Sequence, residues 1–171
     1  METRDGTMEQ TLTMEQALAA EFLSFLDRYL SFYRDFLALE KEKYDDIAKG
    51  RIDRMDGHVK KEEAFLLRSR GLEQERDRLA ARAGNSRVTF RELIPQFGPL
   101  QGQAQQIYDE LSRVLLDLKE MNIRCNYLTQ LRLHRIRSGI KKMENQPELQ
   151  KQYNEKAREG QDRKGFLSKK V

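Results

Sequence analysis

The chain has 171 residues and a net charge of +4, with 35% charged and 38% hydrophobic residues, which is too little apolar content for one round core. It contains no Trp, three prolines and no alternating β-branched run, so nothing argues for a sheet and an all-α fold of elongated helices is expected. A single cysteine, Cys125, excludes an internal disulfide framework and a cysteine-based zinc site, and it points to a reducing cytosol. The opening METRDGTMEQTLTMEQ lacks the basic start and apolar stretch of a signal peptide. Asp27, Arg28, Arg34 and Asp35 interrupt the most apolar segment, so no stable membrane insertion is expected.

Residues 1–12 read as a flexible leader, and Thr13 opens a capping box with Gln16 three positions on. From there Leu18, Phe22, Phe25, Tyr29, Phe32 and Phe36 recur at spacings of three and four, with Leu26, Tyr33, Leu37 and Tyr44 alongside. A band that broad suits contact with two neighbouring helices, and its aromatics are read as bundle core. Asp45 and Lys49 stand four apart with the acid N-terminal, which supports the end of this helix. Gly50 then supplies a left-handed turn. A second periodic run follows at once, with Ile52, Met55, Val59, Leu66, Leu72 and Leu79 as the expected buried stripe. So short a link leaves only an antiparallel hairpin or coiled coil.

The second helix is expected to stop at Gly84, Asn85 and Ser86. Thr89 and Glu92 form a further capping box for a helix of one or two turns, closed by Pro95 and by Gly98 and Pro99. A third long helix begins near Leu100. Its core stripe runs through Ala104, Ile107, Leu111, Val114, Leu118, Met121, Cys125 and Leu128, and can continue through Ile136, Ile140 and Met143. The helical domain thus spans 13–143. Residues 144–171 have no periodic apolar face and read as a polar, disordered tail, with a Phe166/Leu167 pair near its end available for weak docking.

Little in the sequence supports an enzyme. His58 and His134 stand in no metal-binding spacing and read as surface residues, and no strand precedes a glycine-rich phosphate loop. Cys125 lies on the core stripe and reads as a small buried apolar residue. The acidic pairs Asp45/Asp46 and Glu62/Glu63 read as solvated helix faces. No catalytic, cofactor or metal site is therefore expected.

The third helix is apolar on two sides. At about 100° per residue, Leu116, Ile123, Tyr127 and Leu131 share a face roughly opposite the Cys125 stripe. Residues 123–142 contain no acid but carry Arg124, Arg132, Arg135, Arg137, Lys141 and Lys142. The second face is the candidate partner site, unless the tail or a first-helix segment folds over it. The bases are spread around the helix and the net charge is small, so nucleic-acid binding is not expected.

The stretch 39–79, with LEKEKY at a helix end, a Lys-Gly turn and KKEEAFLLR in the second helix, resembles the FlgN family of flagellar export chaperones. TFRELI (89–94) is similar to that family's short middle helix, and LKEMNIRCNYL (118–128), with Asn122 and Asn126, to its third. Order and spacing agree over about residues 18–140, although Arg51 stands where members often place an acid after the turn glycine.

The resemblance implies a cytoplasmic chaperone that binds the hook-associated junction proteins FlgK and FlgL. It would hold them unassembled for type III export through the gate component FlhA, as a monomer or weak homodimer. It also implies that the third helix carries the binding surface, here Asn122, Ile123, Asn126, Tyr127 and Leu131, with Ile136 and Ile140 as extensions. Arg124 and Arg135 would orient an acidic rim of the client, whose terminal amphipathic helix the apolar residues cover. The alternative is a structural coiled-coil adaptor that self-associates through the same face.

Overall fold

The structure is a computed structural model that describes residues 14–84, 87–148, 151–152 and 154–156. Its helices are α1 (Gln16–Ala48), α2 (Met55–Arg82), α3 (Phe90–Leu93) and α4 (Gln101–Glu144), with 3-10 turns at Ile52–Arg54, Ile94–Gln96 and Gly98–Leu100. No strand occurs among the described residues. The fold is all-α, as expected from the sequence. The chain divides into two units, Met1–Cys125 and Asn126–Val171.

In the first unit α1 is the central element, because its apolar residues cover more than one side. Phe22, Phe25, Leu26, Leu30 and Phe32 are almost fully buried. Antiparallel pairing with α2 is visible in the cross-helix pairs, where one number rises as the other falls: Glu21 with Arg82, Arg28 with Glu75, Lys43 with Glu62, and Asp46 with His58. The exposed pairs among these add little stability, but they mark the register. On the other side α4 runs parallel to α1. Phe97, just ahead of α4, lies 5.7 Å from Phe22 near the start of α1, and Cys125 meets the Glu40 carbonyl near its end.

The turn between α1 and α2 follows the expected chemistry. Gly50 has φ of 72°, its N–H donates to the Ile47 carbonyl at 3.1 Å, and the Arg51 N–H donates to the Asp46 carbonyl at 2.8 Å. That pair of bonds is a Schellman cap, which satisfies two carbonyls at the end of α1. Gly84, at φ 95°, ends α2 where the sequence places the break. Thr89 and Glu92 form the second capping box, with the Thr89 N–H donating to Glu92 Oε2 at 2.8 Å.

Two expectations are corrected here. The seam of α2 is not Ile52, Val59 and Leu66, which are all about half exposed. It alternates steps of three and four through Met55, His58, Glu62, Phe65, Ser69, Leu72, Arg76, Leu79 and Ala83, every one of them buried or half-buried. Phe65 sets this rotation, since its ring stacks on Phe36 at 5.0 Å and packs 5.4 Å from Phe32. Val59 and Leu66 each follow a seam residue by one position, so they turn about 100° away from α1. At the other end, α1 begins at Gln16 with Glu15 in the capping position and no side-chain cap. Thr13 lies outside the described residues. Met14 donates its N–H to the Gln96 carbonyl at 2.9 Å, which ties the chain to the α3–α4 link just before the helix starts.

That link closes the end of the core. Leu93, Ile94 and Phe97 are buried, and Phe90 lies 6.0 Å from Phe25 and 6.2 Å from Tyr29. In the second unit α4 continues to Glu144, and residues 147–148, 151–152 and 154–156 are helical. The leader at 1–12 and the Phe166/Leu167 pair lie outside the described residues.

Phe32 is 1% exposed and touches the rings of Tyr33, Phe36 and Phe65. Phe32→Ala should therefore destabilise the protein by about 3 kcal/mol or more, read from equilibrium chemical denaturation.

Candidate functional site

The seam of α4 toward α1 is carried by Ala104, Leu111, Val114 and Cys125, all buried, with Leu118 and Met121 half-buried among them. Because this seam fixes the rotation of the helix, positions just beside it form a rim and positions opposite it face solvent. Leu115 and Ile123 flank an open groove of about 490 Å3 that is also lined by Phe36, Glu40, Leu118, Lys119 and Asn122. Leu116 and Ile123 point outward and are exposed. Arg124 is held along the helix by an ion pair with Glu120 at 2.5 Å. Of the residues singled out from sequence, Asn122, Ile123 and Arg124 belong to this unit and all are exposed.

The second unit carries the others. Tyr127 is 65% exposed and Leu131 37%, and Asn126, Arg135, Ile136 and Ile140 are exposed as well. Ile136 and Ile140 therefore do not extend a core stripe, since neither side chain is covered. Sequence reasoning omitted Leu133, which is exposed here, and in the first unit Leu115, Lys119 and Phe36. Leu115 sits three positions before Leu118, a spacing that could have flagged it as the seam's rim. Phe36 carried no separate signal, because its place in the α1 aromatic series reads only as core.

A second feature lies at the α1–α2 turn and overturns three surface assignments. His58 is 3% and Asp46 2% exposed, with His58 Nε2 2.9 Å from Asp46 Oδ2. Arg51 and Arg54 approach Asp46 Oδ1 at 3.1 and 3.5 Å. The hydrogen bond with His58, opposed by burial and aided by Arg51 and Arg54, holds the Asp46 carboxyl below its ordinary range. One turn back, Lys43 lies 2.8 Å from Glu40 Oε2 and also pairs with Glu62. Burial and the neighbouring Glu62 push the Glu40 carboxyl up. Burial pushes Glu62 the same way, but its hydrogen bonds with Glu40 and Lys43 outweigh that and bring it down. The pair thus favours a proton on Glu40. Asp46 and Glu62 were read as solvated, and His58 as surface, because a seam with polar residues shows no apolar period.

Glu42, Asp46 and His58 bring donor atoms within 4.8 Å of one another, which is the best cation-binding arrangement among the described residues. Asp46 already faces two guanidinium groups and His58, so a cation there would meet positive charge. Cys125 donates its S–H toward the Glu40 carbonyl at 3.6 Å, and burial pushes the thiol up to about 11. It is protonated near neutral pH and poorly suited to nucleophilic chemistry. No helix among the described residues is long and apolar enough to cross a membrane.

The family model described as FlgN protein matches residues 8–161 of this chain. Neither a curated protein nor a solved structure matches it.

Two outcomes follow from this geometry. In the unfolded chain Asp46 titrates near the ordinary value of about 3.9. Its folded value is lower, so its stabilisation is complete above that pH and is lost as pH falls through the folded value. Asp46→Asn should lower the thermal midpoint at neutral pH, and the gap to wild type should begin to narrow as pH falls below about 4. Leu131→Ala, by contrast, should change stability by no more than about 0.5 kcal/mol in the free protein. A loss as large as that of Phe32→Ala would place Leu131 in the core.

Proposed function

Because the chain belongs to the FlgN family, we propose that it is a cytoplasmic export chaperone for the hook-associated proteins FlgK and FlgL. It holds these clients unassembled until delivery to the export gate component FlhA. The observation that carries this reading is large apolar residues left exposed on α4 in each unit, Leu116 and Ile123 away from the seam in the first and Tyr127 and Leu131 in the second. A helix that packs through one face gains nothing from large apolar residues on the other in water, unless a partner covers them. An amphipathic client helix would bury such residues, in the second unit with Tyr127 as an aromatic anchor beside Leu131. Ile136 and Ile140 are exposed too but turn about 140–180° away from Tyr127, so the same client helix would not cover them. Nothing in this reading requires a catalytic group.

A second reading is a coiled-coil adaptor that self-associates. The observation in its favour is the exposed apolar surface of α2, where Val59 and Leu66 stand seven residues apart beside Leu67. Sedimentation at rising concentration separates the two, because the adaptor would form a stable oligomer without any client.

Mixed with purified FlgK or FlgL, the full-length chain should form a defined complex that is lost when the client's terminal helix is deleted. Tyr127→Ala and Leu131→Asp should each weaken that complex by about 2 kcal/mol or more in calorimetry, with helicity by circular dichroism unchanged. Equal binding by wild type and Leu131→Asp would move the site elsewhere on the molecule.

A further inference from the structure

Glu40 stands where α1, α2 and α4 meet in the first unit. Its side chain is almost fully buried and enters the α1–α2 seam, while its main-chain carbonyl accepts the S–H of Cys125 on α4. It also lines the α1–α4 groove beside Leu118, Asn122 and Ile123. A change in its charge therefore acts on both sides of α1.

The groups around it do not balance. Lys43, one turn on in α1, donates to Glu40 Oε1 at 3.0 Å and pairs as well with Glu62 of α2. One ammonium thus serves two carboxyls. Glu40 Oε2 lies 2.8 Å from the same ammonium but receives no hydrogen bond. Farther along the seam, His58 of α2 acts on Glu62 and is itself bonded to Asp46 of α1. From α4 the Cys125 thiol faces the cluster, and Lys119 lines the groove at its edge. Glu40 and Glu62 are also hydrogen-bonded to each other, and two carboxyls in such contact cannot both be ionised, because one must supply the proton. Glu62 is only half-buried, whereas Glu40 is enclosed, so the proton belongs on Glu40. With that proton the cluster of Glu40, Glu62 and Lys43 is neutral. Without it, one cation faces two buried carboxylates.

We propose that Glu40 is a proton-operated latch at the junction of α1, α2 and α4. Protonated, it lets both neighbours close on α1. Ionised, it leaves a carboxylate without compensation between them, and the junction opens so that water can solvate the charge. Opening exposes Cys125, whose thiol rests on the Glu40 carbonyl, and loosens the groove edge at Asn122 and Ile123. The latch operates whatever partner α4 binds. In the unfolded chain Glu40 titrates near the ordinary value of about 4.3, and its folded value is higher. Its contribution to stability is therefore complete below about pH 4.3 and is lost as pH rises through the folded value.

The test compares the full-length wild type with Glu40→Gln, whose neutral amide can still donate to Glu62. Their thermal midpoints should lie close together near about pH 4.5, and the wild type should drop relative to the variant by about 3 °C or more by about pH 8. An ordinary buried ion pair gives the opposite trend, with the wild type gaining on the variant as pH rises. Cys125, the single cysteine, supplies a local readout. Its rate of modification by a maleimide, divided by the rate in Glu40→Gln at the same pH, should rise at least about fivefold between about pH 5 and 8, since the ratio cancels the thiol's own ionisation. Glu62→Gln removes the second carboxyl and should flatten both profiles, because Glu40 can then ionise beside Lys43 unopposed. A carbon-13 titration in which the Glu40 carboxyl ionises at or below about pH 4.3 would overturn the proposal. So would a midpoint gap that stays constant over the whole range, or a modification ratio that does not change with pH.

Discussion

The first unit depends on α1 having more apolar surface than one neighbour can cover. Leu30 and Phe32 are both almost fully buried yet stand about 160° apart around the helix, and no single partner helix buries residues spread that far around a cylinder. Two helices must therefore flank α1, one returning and one running alongside. The short Schellman turn at Gly50 makes the first of these antiparallel, since no longer path is available. The α3 region then carries the chain back past the start of α1, where Phe90, Leu93, Ile94 and Phe97 close the core. Only after that return can α4 run parallel to α1.

The α1–α2 seam does not remain apolar along its length. From Phe65 toward the turn it passes through Glu62 and His58, which meet Glu40, Lys43 and Asp46 on α1. Buried charges of this kind add little net stability over well-packed apolar residues, because desolvation offsets much of their attraction. Their effect lies in what they forbid. Sliding α2 by one residue would move His58 off Asp46 and Glu62 off Lys43, leaving several buried charges without partners. The arginines after the turn add to this, since Arg51 and Arg54 close onto Asp46. The polar end of the hairpin therefore specifies register, while the aromatic portion supplies most of the burial.

The fold was largely legible because its signals were local or periodic. Gly50, Gly84 and the Thr89/Glu92 box mark ends through backbone chemistry that operates wherever those residues occur. The α1 and α4 stripes showed as periods because their seams are built from apolar residues. The rotation of α2 was not legible for the converse reason. Its seam includes His58, Glu62, Ser69 and Arg76, while Ile52, Val59 and Leu66 mark the wrong face with a clean seven-residue repeat. Only cross-helix partners reveal why charge belongs inside. Likewise the exposure of Ile123, Tyr127 and Leu131 was readable from the helix period, whereas the groove beside Phe36 exists only once α1 and α4 are packed.

The two faces of α4 are linked through that packing. Ala104 and Cys125, both close to fully buried, lock the rotation of the helix against α1, so the direction in which Leu116 and Ile123 point is set before any partner arrives. A surface held in this way loses little conformational freedom on binding, and more of the apolar burial then appears as affinity. A looser seam would let the helix turn and hide its outer row against its own core. Keeping Cys125 small at the contact with the Glu40 carbonyl lets the helices approach closely there, two residues beyond Ile123. The core residue and the exposed row are thus parts of one arrangement, in which tight packing on one side keeps apolar residues presented on the other.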